Sequence, residues 1–254
     1  MAKSFNQQAF DILWEIEDRH FWFRTRNQVI VACLRRFVPD LADANLLEIG
    51  CGNGNVLGHL KKTYSGKILI GGDLFVEGLA YCRRRVDVPL VQLDASHLPF
   101  SKGLDVIGMF DVLEHLPYDD AVLREVSRAL RPGGHLILTV PAHQFLWSYF
   151  DHVSCHQRRY NKRELAQKLL EAGLEVEHLG YYMVSILPFV LLRRWLPTGK
   201  HAGDNQGLLE KNSVDLRVYP IINEWLFRLT SVEKHLVLWR SLPFGASLLA
   251  IARR

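Results

Sequence analysis

The acids Glu48, Asp73, Asp94 and Asp111 each stand where a short apolar run stops. Between the first two lies Gly50-Cys51-Gly52-Asn53-Gly54-Asn55, in which glycine alternates with other residues. A carboxylate at a strand end accepts hydrogen bonds from ribose hydroxyls or an exocyclic amine. A glycine loop lets a ligand approach the main chain with no Cβ in the way. One such acid reads as readily as a helix N-cap; four at successive strand ends point to one nucleotide-like ligand. A dinucleotide fingerprint, GxGxxG/A, wants a small residue at its sixth position, where the pyrophosphate binds. Asn55 occupies that position. The spacing GxGxG therefore suits a ligand without a pyrophosphate and disfavours NAD(P)-dependent redox chemistry.

A second group could move protons. His115 lies four residues beyond Asp111, and "DHVSCHQRRY" (Asp151 to Tyr160) holds His152, His156, Arg158, Arg159 and Tyr160. A histidine near neutrality takes a proton from an oxygen or nitrogen acceptor. His156 is the first candidate for that base, and His115 is either a second base or a residue that orders its loop. Arg158 and Arg159 pair bidentately with an acidic group on an acceptor, or else anchor the loop; Tyr160 and His152 would line the same side. His152 and His156 have i,i+4 ligand spacing, but no HExxH glutamate accompanies them, and no metal is expected.

The elements that must position these groups alternate. From residue 45, apolar runs ending at Gly50, Asp73, Leu93 and Met109–Phe110 are followed by helical stretches near 56–62, 76–85 and 119–130. That order implies a parallel sheet with helices on both faces. In "NKRELAQKLLEAGLEV", Asn161 serves as N-cap, Glu164 as its capping-box partner and Gly173 as the stop. Residues 5–37 read as helical, 174–182 as a strand, 197–213 as a polar loop, 221–237 as a helix and "GASLLAIARR" as a last strand. The 254 residues carry a net charge of +4, too small and too spread to argue for nucleic acid. The four cysteines show neither CxxC nor zinc spacing, as expected of reduced thiols in the cytoplasm. "YYMVSILPFVLLRRWLP" is too short and too broken for a membrane span, which leaves peripheral membrane contact or a dimer surface as its alternatives to a pocket wall.

"LLEIGCGNGN", "GGDL", "LDASHLPF", "FDVLEHLP" and "LRPGGHLILTVP" together resemble the class I S-adenosylmethionine-dependent methyltransferases over about residues 45–141. The resemblance implies a Rossmann-like, doubly wound sheet of seven strands, order 3-2-1-4-5-7-6, with strand 7 antiparallel. It implies S-adenosyl-L-methionine as cofactor and S-adenosyl-L-homocysteine as product. Glu48, Gly50, Cys51, Gly52 and Gly54 would surround the methionine moiety. Asp73 and Leu74 would meet the ribose, Asp94, Ala95 and Ser96 the adenine, and Asp111 and Val112 the methionine end. "EDRHFWFRTR" and "DHVSCHQRRY" resemble a bacterial subgroup that acts on small molecules. Residues 1–40 are then expected to form a helical lid, with Trp22 over the cofactor and Arg26 on its carboxylate or the acceptor. Residues 41–254 form the catalytic domain, and 183–240 a cap inserted between strands 6 and 7. The expected reaction is methylation of a small, partly apolar metabolite, O-methylation before N-methylation, by a monomer or homodimer. A lipid or quinone acceptor, and a cofactor-binding regulator without transfer, are the alternatives.

Overall fold

Parallel strands covered on both faces read as apolar runs rather than as alternation, and the runs after residue 45 fold in that way. In the computed structural model, which describes residues 7–38, 40–64, 66–195, 218–239 and 241–254, the strands are β1 (Asn45–Ile49), β2 (Ile68–Asp73), β3 (Leu90–Gln92), β4 (Leu104–Phe110), β5 (Leu130–Pro141), β6 (Glu175–Tyr182) and β7 (Ser247–Arg253). They form one sheet of order β3-β2-β1-β4-β5-β7-β6. β7 is antiparallel to both β5 and β6. The expected topology is met strand for strand. Successive side chains of a strand face opposite cores: Leu47, Ile49, Ile107 and Met109 enter one cluster, and Leu46, Val106, Leu249 and Ile251 the other.

The helices are α1 (Gln7–Ile16), α2 (Phe21–Phe37), α3 (Asn55–Thr63), α4 (Val76–Arg85), α5 (Asp119–Ala129), α6 (Tyr149–Val153), α7 (Lys162–Glu171), α8 (Leu187–Trp195) and α9 (Pro220–Trp239). Asn161 caps α7 as read, its Oδ1 accepting from Glu164 N at 2.9 Å, but the capping box is not completed: the Glu164 carboxylate accepts from the Asn161 side-chain amide at 3.4 Å and not from its main chain. Gly173 ends the turn at φ 77°, where a side chain would be strained. The polar stretch 197–213 and residues 1–6 lie outside the described residues.

The amino-terminal helical stretch breaks once. His20 stops it and caps the next helix, its Nδ1 accepting from Trp22 N at 3.3 Å. The second half of α2 is core, with Val29, Ile30, Cys33 and Leu34 buried. α1 lies on α4: Trp14 packs on Tyr81 at 5.3 Å between ring centroids, and Arg85 reaches Glu17 at 3.0 Å. α8 and α9 occupy the expected insertion between β6 and β7. α9 clamps α2, with Asn223 Oδ1 accepting from Phe21 N at 2.8 Å, Arg24 paired to Glu224 at 2.9 Å and the Thr25 and Thr230 hydroxyls 2.6 Å apart. The amino-terminal helices and the insertion thus hold each other.

Candidate functional site

The carboxyl ends of β1, β2 and β4 gather the first site. Gly50 N and Cys51 N both donate to Gly72 O, at 2.7 and 3.0 Å, so the loop is laced to β2. Asp73 then fixes its crest: Oδ2 accepts from Gly52 N at 2.7 Å and Oδ1 from Phe75 N at 2.9 Å. Burial raises the Asp73 carboxyl, and the main-chain N–H donors pull against it. A carboxylate has about four lone-pair sites, so two donors leave room for ribose hydroxyls. A Cβ built on Gly52, at φ 48°, meets nothing within 4 Å, whereas one on Gly54 falls 2.6 Å from Cys82 Sγ. Gly54 is closed by its own neighbours, and Gly52 faces open space. Beneath it Glu48 is buried with Oε2 unpartnered, and burial drives its carboxyl well above the usual range. Asn55 has a role that its place in the sequence did not disclose. Its Oδ1 accepts from Asn27 at 2.8 Å and its amide donates to Asp18 at 2.9 Å, tying the glycine loop to α2 and the turn before it.

Beyond β3, Asp94 Oδ1 accepts from Ser96 N at 2.8 Å, and Ala95 is buried beside it. Beyond β4, Asp111 sits at φ 57°, a conformation few side chains adopt. It is held there by the Arg26 guanidinium, 2.8 Å from Oδ2, and by the Thr139 hydroxyl, which donates to Oδ1 at 3.0 Å. Arg26 is buried and its Nε is unpartnered. It therefore reaches the strand ends from α2. Trp22 packs partly buried against the core cluster below.

The second group assembles around Glu114. His156 Nδ1 is 2.8 Å from Asp151 Oδ1 and its Nε2 is 3.9 Å from Glu114 Oε1. The rings of His156 and His115 meet edge to face at 4.7 Å. Burial, and the charge His156 can carry, lower His115 to about 4, so it is a neutral imidazole near neutrality. Glu114 is fully buried, neither oxygen has a partner, and burial holds it well above the usual carboxylate range. Burial works against the Asp151 carboxylate too, yet hydrogen bonds from His156 and Arg159 hold it well below that range.

The scan of family models returns one described as "Methyltransferase domain" over residues 22–179. The chain belongs to that family. That match and the order of its sheet place it with the class I S-adenosylmethionine-dependent methyltransferases. It is 36% identical over 104 residues to a fatty-acid O-methyltransferase of Mycolicibacterium smegmatis, covering 39% of this chain and 38% of that protein. It is 30% identical over 151 residues to phthiotriol/phenolphthiotriol dimycocerosates methyltransferase 1 of Mycobacterium ulcerans, covering 57% and 56%. The chain thus spans less than two thirds of the length of these relatives. Among solved structures it is similar to phosphoethanolamine N-methyltransferase 2 of Haemonchus contortus in complex with S-adenosyl-L-methionine. There the TM-score is 0.63 at 19% identity, covering 98% of this chain and 57% of that one, and the likeness is one of fold.

The methyltransferase fits that cofactor. The open face of Gly52, the unpartnered Glu48 Oε2 and the unpartnered Arg26 Nε are what a methionine moiety would fill and satisfy. Glu48, Gly50, Cys51, Gly52, Gly54, Asp73, Asp111 and Val112 all come to these strand ends, while Leu74, Asp94 and Ser96 stay exposed or half-buried at the rim. For Arg158, Arg159 and Tyr160 the partners found are those of the alternative reading, an anchored segment. Arg159 grips Asp151 with Nε at 2.7 Å and Nη2 at 3.1 Å, and donates to Ala142 O. Arg158 pairs with Asp119 at 2.7 Å, and Tyr160 is fully buried with its hydroxyl 2.8 Å from Asp119. They anchor the segment, because carboxylates from α5 and α6 neutralise them. His152 is exposed and takes Trp147 Nε1 at 2.9 Å, apart from His156. Glu114 is the residue that sequence reasoning passed over, and Asp151 and Asn55 were named without the roles they take here.

Proposed function

We propose that this methyltransferase moves a methyl group onto an oxygen of a small, acyl-chain-bearing molecule. When bound, S-adenosyl-L-methionine supplies a methyl on a cationic sulfur. Asp73, Gly52 and Glu48 orient that donor, and the Arg26–Asp111 pair closes its methionine end. Orientation alone contributes on the order of 7–11 kcal/mol in well-aligned reactions. The observation that carries the oxygen reading is the Asp151–His156 hydrogen bond. It fixes His156 by one ring nitrogen and turns the other toward Glu114, with the His115 ring beside it. A histidine so oriented accepts a hydroxyl proton as the methyl arrives.

Support for an apolar acceptor comes from α8 and α9. Phe189 and Trp225 meet edge to face at 6.5 Å, and Leu192, Ile221 and Trp225 stay exposed. The fatty-acid and phthiotriol relatives point the same way. We place the reaction in the cytoplasm, where the four free cysteines stay reduced; among the described residues no helix is long and apolar enough to cross a membrane.

Isotope-labelled cofactor offered with long-chain alcohols and long-chain acids, read by mass spectrometry, tests this. A carboxylate needs no base, whereas a hydroxyl does. His156→Ala is expected to slow transfer to the alcohol by about 10²–10⁴-fold, to leave the acid nearly unaffected and to keep S-adenosylhomocysteine affinity. Normal turnover of the alcohol in that variant removes His156 from the reaction.

A further inference from the structure

We propose that Glu114, His115 and His156 form a site for one divalent transition cation beside the acceptor. Each offers one ligand atom, and these atoms lie within 4.8 Å of one another. Spacing alone would not make a site; three further observations do. Glu114 is fully buried and both its carboxylate oxygens lack partners, a costly state that a cation would relieve. His156 is gripped at Nδ1 by Asp151, which leaves Nε2 directed at Glu114. Ligating histidines are held in that way, by a carboxylate on the other ring nitrogen that fixes the tautomer and strengthens the donor. Asp151 is itself held by two nitrogens of Arg159, so the support is rigid.

The donor set decides the class of ion. Two imidazoles and one carboxylate suit zinc, iron or manganese and leave positions open, whereas magnesium and calcium want an all-oxygen shell. Zinc with two histidines and a glutamate keeps its remaining position for water or substrate. Glu114 and His115 sit in the turn (Leu113–His115) that follows Asp111, so the open positions adjoin the methionine end. A cation there makes a bound hydroxyl more acidic, and with it in place His156 Nε2 is its ligand rather than the acceptor of the hydroxyl proton. This role rests on the O-methylation reading, whereas the binding itself does not.

The full chain is titrated with Zn²⁺ by calorimetry, and with Co²⁺ by visible absorption. Wild type is expected to take up one equivalent, with a Co²⁺ spectrum showing nitrogen ligation. Glu114→Gln and His156→Ala are expected to weaken binding by at least about 10-fold, and Asp151→Asn by about 10–100-fold. S-adenosylhomocysteine binding checks that each variant is folded, and the wild-type Co²⁺ spectrum requires no variant. Absence of saturable uptake by wild type, or equal uptake in Glu114→Gln and His156→Ala, overturns the site. Metal uptake as expected without transfer to either alcohols or acids leaves the site standing and overturns the oxygen reading. Transfer to alcohols that is indifferent to chelation, together with no uptake, does the reverse.

Discussion

Replacing Gly52 by alanine separates the cost to the fold from the cost to the ligand. At φ 48° an alanine is strained, by about 1–2 kcal/mol for a left-handed residue. Its Cβ touches nothing of the protein within 4 Å, so that strain is the whole folding penalty. For a chain of this size it lowers Tm by about 2–8 °C. The same methyl enters the space assigned to the methionine moiety. Overpacking of that kind costs about 1–3 kcal/mol, so S-adenosylhomocysteine should bind about 5- to 150-fold more weakly. Gly54→Ala is the control. Its Cβ falls 2.6 Å from Cys82 Sγ at φ 75°, so strain and overpacking both fall on the fold, at about 2–5 kcal/mol together. Thermal melting and calorimetry with S-adenosylhomocysteine read the two effects. Gly52→Ala with affinity within twofold of wild type would refute the placement of the cofactor across this loop.

Asp73→Ala leaves Gly52 N and Phe75 N without their acceptor and removes the carboxylate proposed to hold the two ribose hydroxyls. Two charge-assisted hydrogen bonds at about 1.5–3 kcal/mol each predict more than a 100-fold loss of S-adenosylhomocysteine affinity; unchanged calorimetry would exclude that role. Glu17 predicts a pH dependence of stability. Burial raises its carboxyl from 4.5 to about 7, against the pull of Arg85 and Arg26, with Asp18 adding to the rise. The folded state then holds the proton more tightly than the unfolded chain, so stability falls as pH rises from about 4.5 to about 7, by about 3 kcal/mol in all. Glu17→Gln should remove that component from the denaturation midpoint across the window; parallel pH curves for the two proteins would contradict it.

The sheet was legible because its signals are local. Apolar runs, glycines and strand-end acids stand at short, regular spacing, whereas the bond from Gly52 N to Asp73 crosses between two strand ends and was not read. The failures lie where partners come from afar. Arg158, Arg159 and Tyr160 look free in a polar segment, yet Asp119 and Asp151 turn them inward. Asn55 reads as a departure from a dinucleotide pattern, while its bonds to Asn27 and Asp18 follow no period. Glu114 sits in "VLEHL", where a carboxylate ordinarily faces water; a short turn buries it among groups that leave it unpaired. His152 and His156 share helical spacing, but the short helix α6 ends at Val153 and the two histidines part.

The proposed reaction requires a donor lying across Gly52 with its reactive end open to the histidines. An experimental structure of the S-adenosylhomocysteine complex tests that most directly. In that complex the ribose is expected on Asp73, the methionine moiety over Gly52, and the sulfur facing Glu114, His115 and His156. A ligand bound away from Gly52, or a sulfur turned from those three side chains, would contradict it.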